Sequence, residues 1–182
     1  MTEAIEVETP RLRLRQWRDS DLAPFAALNA DPAVMEFFPA RLARAESDAF
    51  AARIRGSIAQ RGWGLWAVEA PGVSPFVGFV GLEEPGPHIP VSPCVEIGWR
   101  VAAEHWGKGY ASEAARAALQ VGFDRLGLHE IVSFTSQLNR RSRAVMERIG
   151  MRFAGETFEH PNVPIGSPLR AHVVYRLVRG RA

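Results

Sequence analysis

Cysteine and lysine each occur once in this 182-residue chain. A lone Cys94 can close no internal disulfide, so a reducing cytoplasm is the expected location. No apolar run approaches the roughly 18 residues that a spanning helix needs. The acidic start MTEAIEVE carries no basic-then-apolar leader, and no membrane partner is expected. Blocks of five basic residues are also missing. Arginine supplies nearly all the positive charge and is interleaved with acids, as in RQWRDSD, and the formal net charge is only +2. That gives no phosphate-tracking stripe, and no nucleic-acid partner is expected. His88, His105, His129, His160 and His172 show no i,i+4 or paired-ligand spacing, so no metal is expected.

What is present is ordinary for one globular domain, 1–182, with 47% hydrophobic and 23% charged residues. Pro10 to Trp17 alternates with period two and reads as a half-buried strand. A short helix follows at 22–29, with Asp19 or Ser20 as its cap. DPAVMEFFP reads as a further short turn or helix. Residues 46–60 place Phe50, Ile54 and Ile58 on one helical face. LWAVEA, PFVGFVGL and CVEIGWRV read as strands, with a loop at EEPGPHIPVSP. A helix at 109–123 leads into the strand EIVSFTS. NRRSRAVMERIG is a helix capped by Asn139 and stopped by Gly150. MRFAGETFEH and AHVVYRLVR close the chain as strands. The order β-α-α-β-β-β-α-β-α-β-β predicts a mixed α/β (α+β) sheet, mostly antiparallel, with one parallel pair around the helix at 109–123.

The stretch AEHWGKGYASEAA carries the first chemical signal. It is no P-loop: Ala102 stands where the first glycine belongs, and Gly109 where the hydroxyl belongs. It is no dinucleotide fingerprint either, because Ser112 replaces the third glycine. Gly107, Gly109 and Ala111 opening a helix after a strand could instead aim several backbone N–H groups at one anion. The same glycines could equally serve a tight strand-to-helix turn.

Set before Asn139-x-x-Ser142-x-x-Val145-Met146-x-x-x-Gly150-Met151, the Gly107-Lys-Gly-Tyr-Ala motif resembles the GNAT superfamily of N-acyltransferases. TPRLRLRQWRDSDL and HPNVPIGSPLRAHVVYRL are similar to its RimJ/RimL-like branch, so the likeness spans nearly the whole chain. The resemblance implies a six- or seven-stranded sheet, splayed between the strands at 95–101 and 130–136 and flanked by helices. It implies acetyl-CoA as cosubstrate, with its pantetheine arm against Ile97, Trp99 and Val101. The pyrophosphate would lie on Trp106, Gly107, Lys108, Gly109, Tyr110 and Ala111, with Asn139 and Ser142 also near the cofactor. Where the family usually begins this loop with Gln or Arg, Glu104 stands here.

Acyl transfer to an amine needs a base, an oxyanion donor and a proton for the leaving thiolate. Alternation puts Glu96, Gly98 and Arg100 on one strand face and Val95, Ile97 and Trp99 on the other. Glu96 is the leading general base, against a plain surface or ion-pair role, and a backbone N–H around 96–100 is the expected oxyanion donor. Many GNAT enzymes protonate the thiolate with a tyrosine where this chain has Met146. Ser142 therefore becomes the expected donor, against a role in the first helical turn, with Tyr110 in reserve. Trp63, Trp66, Phe37 and Phe38 are candidates for an acceptor pocket, with ordinary core the expectation for at least half of them, and Cys94 lacks a neighbouring base for nucleophilic work. The expected activity is N-acetyl transfer by direct attack in a ternary complex. The acceptor is a protein or peptide N-terminal α-amine, or alternatively a small-molecule amine. A non-catalytic acyl-CoA-binding module is the reading from another class, and a homodimer stays open.

Overall fold

The computed structural model describes residues 3–180. Eight strands form one mixed sheet in the order β1-β2-β3-β4-β5-β6-β8-β7. β1 (Val7–Glu8), β2 (Arg13–Arg15), β3 (Leu65–Ala70), β4 (Ser74–Glu83) and β5 (Glu96–Val101) are successive antiparallel neighbours. β6 (Glu130–Ser136) joins β5 in parallel, and β8 (Ala171–Val178) lies antiparallel between β6 and β7 (Arg152–Glu159). The chain's element order is the expected one with β1 added. The Pro10–Trp17 strand shrinks to three residues, because Pro10 and Arg11 turn the chain. Thr9 N–H closes that turn on the Leu12 carbonyl at 2.8 Å.

Helices α1 (Leu22–Ala30) and α2 (Arg44–Arg61) cover one face of the sheet, while α3 (Tyr110–Gln120) and α4 (Arg140–Arg148) cover the other. Both sheet faces are buried, so β3 reads as a near-continuous apolar run: Trp66 and Val68 face α3, and Leu65 and Ala67 face α2. Ala114, Ala115 and Ala118 are fully buried and let α3 lie close to the sheet. The helix ends in a π-helical turn, Val121–Arg125, where a Cβ on Gly122 would come within 2.6 Å of Ile131 Cδ1. α2 begins two residues before the expected start, because Glu46 reaches back to the Ala43 N–H at 2.7 Å. Neither Asp19 nor Ser20 caps α1. Asp21 precedes the helix and spends its carboxylate on Arg15, at 2.8 and 2.9 Å, with Glu69 taking Arg15 Nε at 2.7 Å. That bidentate pair is buried beneath the sheet edge and joins β2 to the α1 entry.

Candidate active site

β5 and β6 touch at one residue pair, Glu96 and Val132. Val132 N–H donates to the Val95 carbonyl at 2.9 Å, so the odd-numbered residues of β5 turn their backbone groups toward β6. The Ser133 hydroxyl then takes the Ile97 carbonyl at 2.9 Å, and the ladder ends there. Beyond that point each strand stays paired on its outer side, β5 to β4 and β6 to β8, while the two separate from one another. The backbone N–H of Trp99 is left facing the gap. The Val101 carbonyl at the far end is taken by Trp106 Nε1 at 2.8 Å. Ile97 sends its side chain into the core beneath α3 and can meet a cofactor only by backbone, while Trp99 packs part-buried against the same core.

The gap opens into a cleft of about 1420 Å³ that runs from the start of α3 to the α1–α2 loop. That exceeds the roughly 300–1,000 Å³ of a typical single-ligand pocket, and leaves room for two reactants side by side. At one end, Gly107 (φ 75°) and Gly109 (φ 80°) adopt left-handed conformations that cost any other residue roughly 1–2 kcal/mol. The first helical bond of α3 runs from Glu113 N–H to the Gly109 carbonyl at 3.0 Å, so the preceding amides have no partner within the helix. Exposed glycines, unpaired amides and a positive helix end together suit a pyrophosphate, and the unladdered edge of β5 suits an extended amide arm. These residues fit coenzyme A.

Residues 11–152 match the protein family described as "Acetyltransferase (GNAT) domain". The chain belongs to the GNAT family of acetyltransferases. It is 31% identical over 166 residues to the uncharacterized protein YkkB of Bacillus subtilis (strain 168), covering 91% of this chain and 95% of that one. It is 30% identical over 153 residues to the uncharacterized N-acetyltransferase YnaD of the same organism, covering 83% and 85%. A GNAT-family acetyltransferase structure from Bacillus anthracis superposes with a TM-score of 0.79 at 26% identity, covering 96% of this chain and 98% of that one.

In this GNAT chain the glycine loop is held by a residue that sequence reasoning missed. Arg11 donates from Nε to Glu113 at 2.6 Å and from Nη1 to the Lys108 carbonyl at 2.9 Å, and its guanidinium lies 5.2 Å from the Tyr110 ring centre. Burial raises the Glu113 pKa, but hydrogen bonds from Thr9 and Arg11 outweigh it and hold the carboxyl below its ordinary value. Lys108 itself turns aside, with Nζ 3.3 Å from His105 Nδ1. Glu104 is exposed, 3.2 Å from His105 Nε2, while burial and Lys108 lower the imidazole's pKa and keep it neutral. Tyr110 is buried in the core.

On the opposite face of β5, Glu96 and Arg100 project into the cleft as alternation requires, with Glu83 directly across from Glu96 on β4. Their Cβ atoms are therefore roughly 4.5–5.5 Å apart. The surrounding walls raise Glu96 well above the ordinary carboxylate range, and the charge of Glu83 adds to that. The cleft's walls raise Glu83 too by desolvation, against the pull of Arg53, Arg100 and Arg61, although part of its side chain still meets solvent. Sequence reading overlooked Glu83, whose only signal was its place at the end of an apolar strand.

α4 sits on the far bank. Asn139 caps it, accepting from Ser142 N–H at 3.1 Å while its Nδ2 donates to Thr135 Oγ1 at 3.1 Å. This leaves the Ser142 hydroxyl facing the cleft, with no protein hydrogen bond among the described residues. Met146 is buried in the core. Phe37 and Phe38 line the cleft as expected, but Trp66 and Trp63 do not. Trp66 is fully buried under α3, donating to the Ile5 carbonyl at 2.7 Å, and Trp63 packs on the edge of the same core. Phe134, His160 and His172 supply the remaining wall, with His160 and His172 rings 4.6 Å apart. The Cys94 thiol is pushed up to about 11 by burial and by Glu96, which suppresses the thiolate at neutral pH.

Proposed function

We propose that this chain, working as a single domain in the cytoplasm, is an acetyl-CoA-dependent N-acetyltransferase that moves an acetyl group to a primary amine by direct attack. The observation that carries the reading is one stretch of β5. Its Trp99 N–H faces the gap between the strands, while the Glu96 carboxyl opens onto the cleft three residues away. GNAT acetyltransferases use acetyl-CoA, which when bound supplies a thioester carbonyl open to attack by an amine.

Glu96 receives the proton that an arriving ammonium must lose, through a water in the cleft. Its raised pKa brings it closer to the working pH than an ordinary carboxylate. The Trp99 N–H is the donor for the acyl oxygen as negative charge gathers there. The Ser142 hydroxyl is the donor for the departing sulfur, since Met146 has no proton to give. Trp106 to Ala111 bind the pyrophosphate by backbone, with Arg11 holding the loop. Asn139 positions Ser142. Fixing both reactants in one cleft supplies part of the rate by proximity alone.

The RimJ/RimL-like motifs favour a polypeptide N-terminus as acceptor. Phe37, Phe38 and Arg141, which narrow the cleft on its acceptor side with the Arg141 guanidinium 5.7 Å from the Phe37 ring centre, favour a small amine. The test is thiol release from acetyl-CoA with a panel of amino-terminal peptides and small amines. Tight CoA binding with no turnover on any amine, and no change on Glu96→Gln or Ser142→Ala, would sink the enzyme reading in favour of an acyl-CoA-binding module.

A further inference from the structure

The acceptor half of the cleft carries charges that the protein itself leaves unmatched. Arg100 enters from β5 beneath three phenylalanine rings, with its guanidinium carbon 4.1 Å from the Phe38 ring centre, 5.5 Å from Phe79 and 5.8 Å from Phe50. Among the described residues it makes one hydrogen bond, from Nη1 to Asn29 Oδ1. Its Nε is buried with no partner, and among the described residues no carboxylate forms an ion pair with it. Burial lowers its pKa to about 10, with Glu83 acting only from a distance to raise it, so the group stays cationic at neutral pH. A guanidinium held among aromatic rings without an anion is costly to the free protein.

The opposite end holds the converse. Glu83 and Glu96 stand side by side, with no hydrogen bond or ion pair to either among the described residues. Between the two ends the β4–β5 register places a row of glycine, Gly81 against Gly98. A Cβ at Gly98 would meet nothing within 4 Å, whereas one at Gly81 would run into the Gly64 carbonyl, so the open floor between the charges lies at Gly98. Two carboxyls at one end, a guanidinium at the other and the open Gly98 between them form the complement of a zwitterion.

We propose that the acceptor is a small aminocarboxylate: a primary amine seated at Glu83 and Glu96, bearing a carboxylate that pairs with Arg100. This rests on the acetyltransferase reading and narrows its substrate class. A polypeptide N-terminus has no carboxylate at a fixed distance from its amine, whereas a free amino acid or ω-amino acid does. Arg100 is then a specificity residue: with Nη1 given to Asn29 and Nε sealed from solvent, Nη2 is the donor it offers to the carboxylate in a charge-assisted hydrogen bond.

The experiment is a comparison of matched acceptors by thiol release from acetyl-CoA. Each amino acid, α or ω, is set against its own carboxamide, which keeps the amine and removes the anion. At least one acid is expected to exceed its amide by tenfold or more in kcat/KM, chiefly through KM. Arg100→Gln should abolish that preference, and Arg100→Lys should retain part of it. Amides equal to or better than their acids across the panel overturn the inference while leaving N-acetyl transfer standing. Silence of every amine, acid and amide and N-terminal peptide alike, overturns both. The matched comparison needs only the wild-type chain, so poor folding of an Arg100 variant does not blunt it.

Discussion

Arg141 at the start of α4 pairs with Glu36 of the α1–α2 loop at 2.7 Å, reaching across the cleft from one bank to the other. The same guanidinium sits 4.1 Å from the Trp106 ring centre and donates to the Ala33 carbonyl at 3.3 Å. The two halves of the splayed sheet are thus tied over the site by one exposed side chain. Exposed ion pairs contribute only about 0–1 kcal/mol, so this clasp matters more to access than to stability. Arg141→Ala should leave thermal unfolding nearly unchanged while raising the dissociation rate of bound CoA several-fold, as stopped-flow displacement would show. An unchanged dissociation rate would mean that the clasp does not restrain the cleft.

The Glu83–Glu96 pair predicts two pH effects. The rate should rise with pH along a limb above the usual carboxylate range, because Glu96 must ionise against its walls and against Glu83. Glu83→Gln removes the facing charge and should move that limb to lower pH in a kcat/KM profile. For stability the sign runs the other way. The folded pKa values lie above the ordinary value of 4.5, so the native state holds protons that the unfolded chain has released. This contribution is fully present below pH 4.5 and is lost as pH rises through the folded values. Urea unfolding should show Glu96→Gln gaining on wild type toward alkaline pH.

At the glycine loop, backbone should outweigh side-chain charge. Gly109→Ala places a Cβ at φ 80° and 3.3 Å from Arg11 Nη2, which costs about 1–2 kcal/mol and displaces the loop. CoA affinity by calorimetry should fall roughly tenfold. Arg11→Gln should weaken binding in the same direction through loss of its bonds to Glu113 and Lys108. Lys108→Ala should change little, since Nζ turns to His105.

Arg15 and Asp21 are both 1% exposed and joined by two hydrogen bonds. Removing one partner strands a buried charge, so Asp21→Ala should cost about 3–5 kcal/mol in denaturant unfolding. A loss under about 1 kcal/mol would mean that water reaches the pair.

Features that depend on nearby residues were legible in the chain. The left-handed glycines at 107 and 109, the Asn139 cap, the Gly150 stop and the bounds of β3 and β6 follow from residues within one or two turns of one another. Strand alternation put Glu96 and Arg100 on one face of β5, and the structure has them so. Arg11 could not be found that way, because its partners Lys108 and Glu113 lie 97 and 102 residues along the chain. Trp66 stood between a cleft and a core reading, because an indole in a strand looks the same facing a ligand or facing a helix, and the structure puts it in the core.

The order of elements, the turn chemistry at the start of α3 and the family motifs can be read along the chain, since backbone conformation and capping are set by near neighbours. Three-dimensional packing sets Glu83 against Glu96, Arg100 under Phe38 without an ion-pair partner among the described residues, and Arg141 across the cleft onto Glu36. Those depend on strand register and on which helix covers which face. They are fixed by burying both sides of one sheet at once, a constraint that no local stretch of sequence carries.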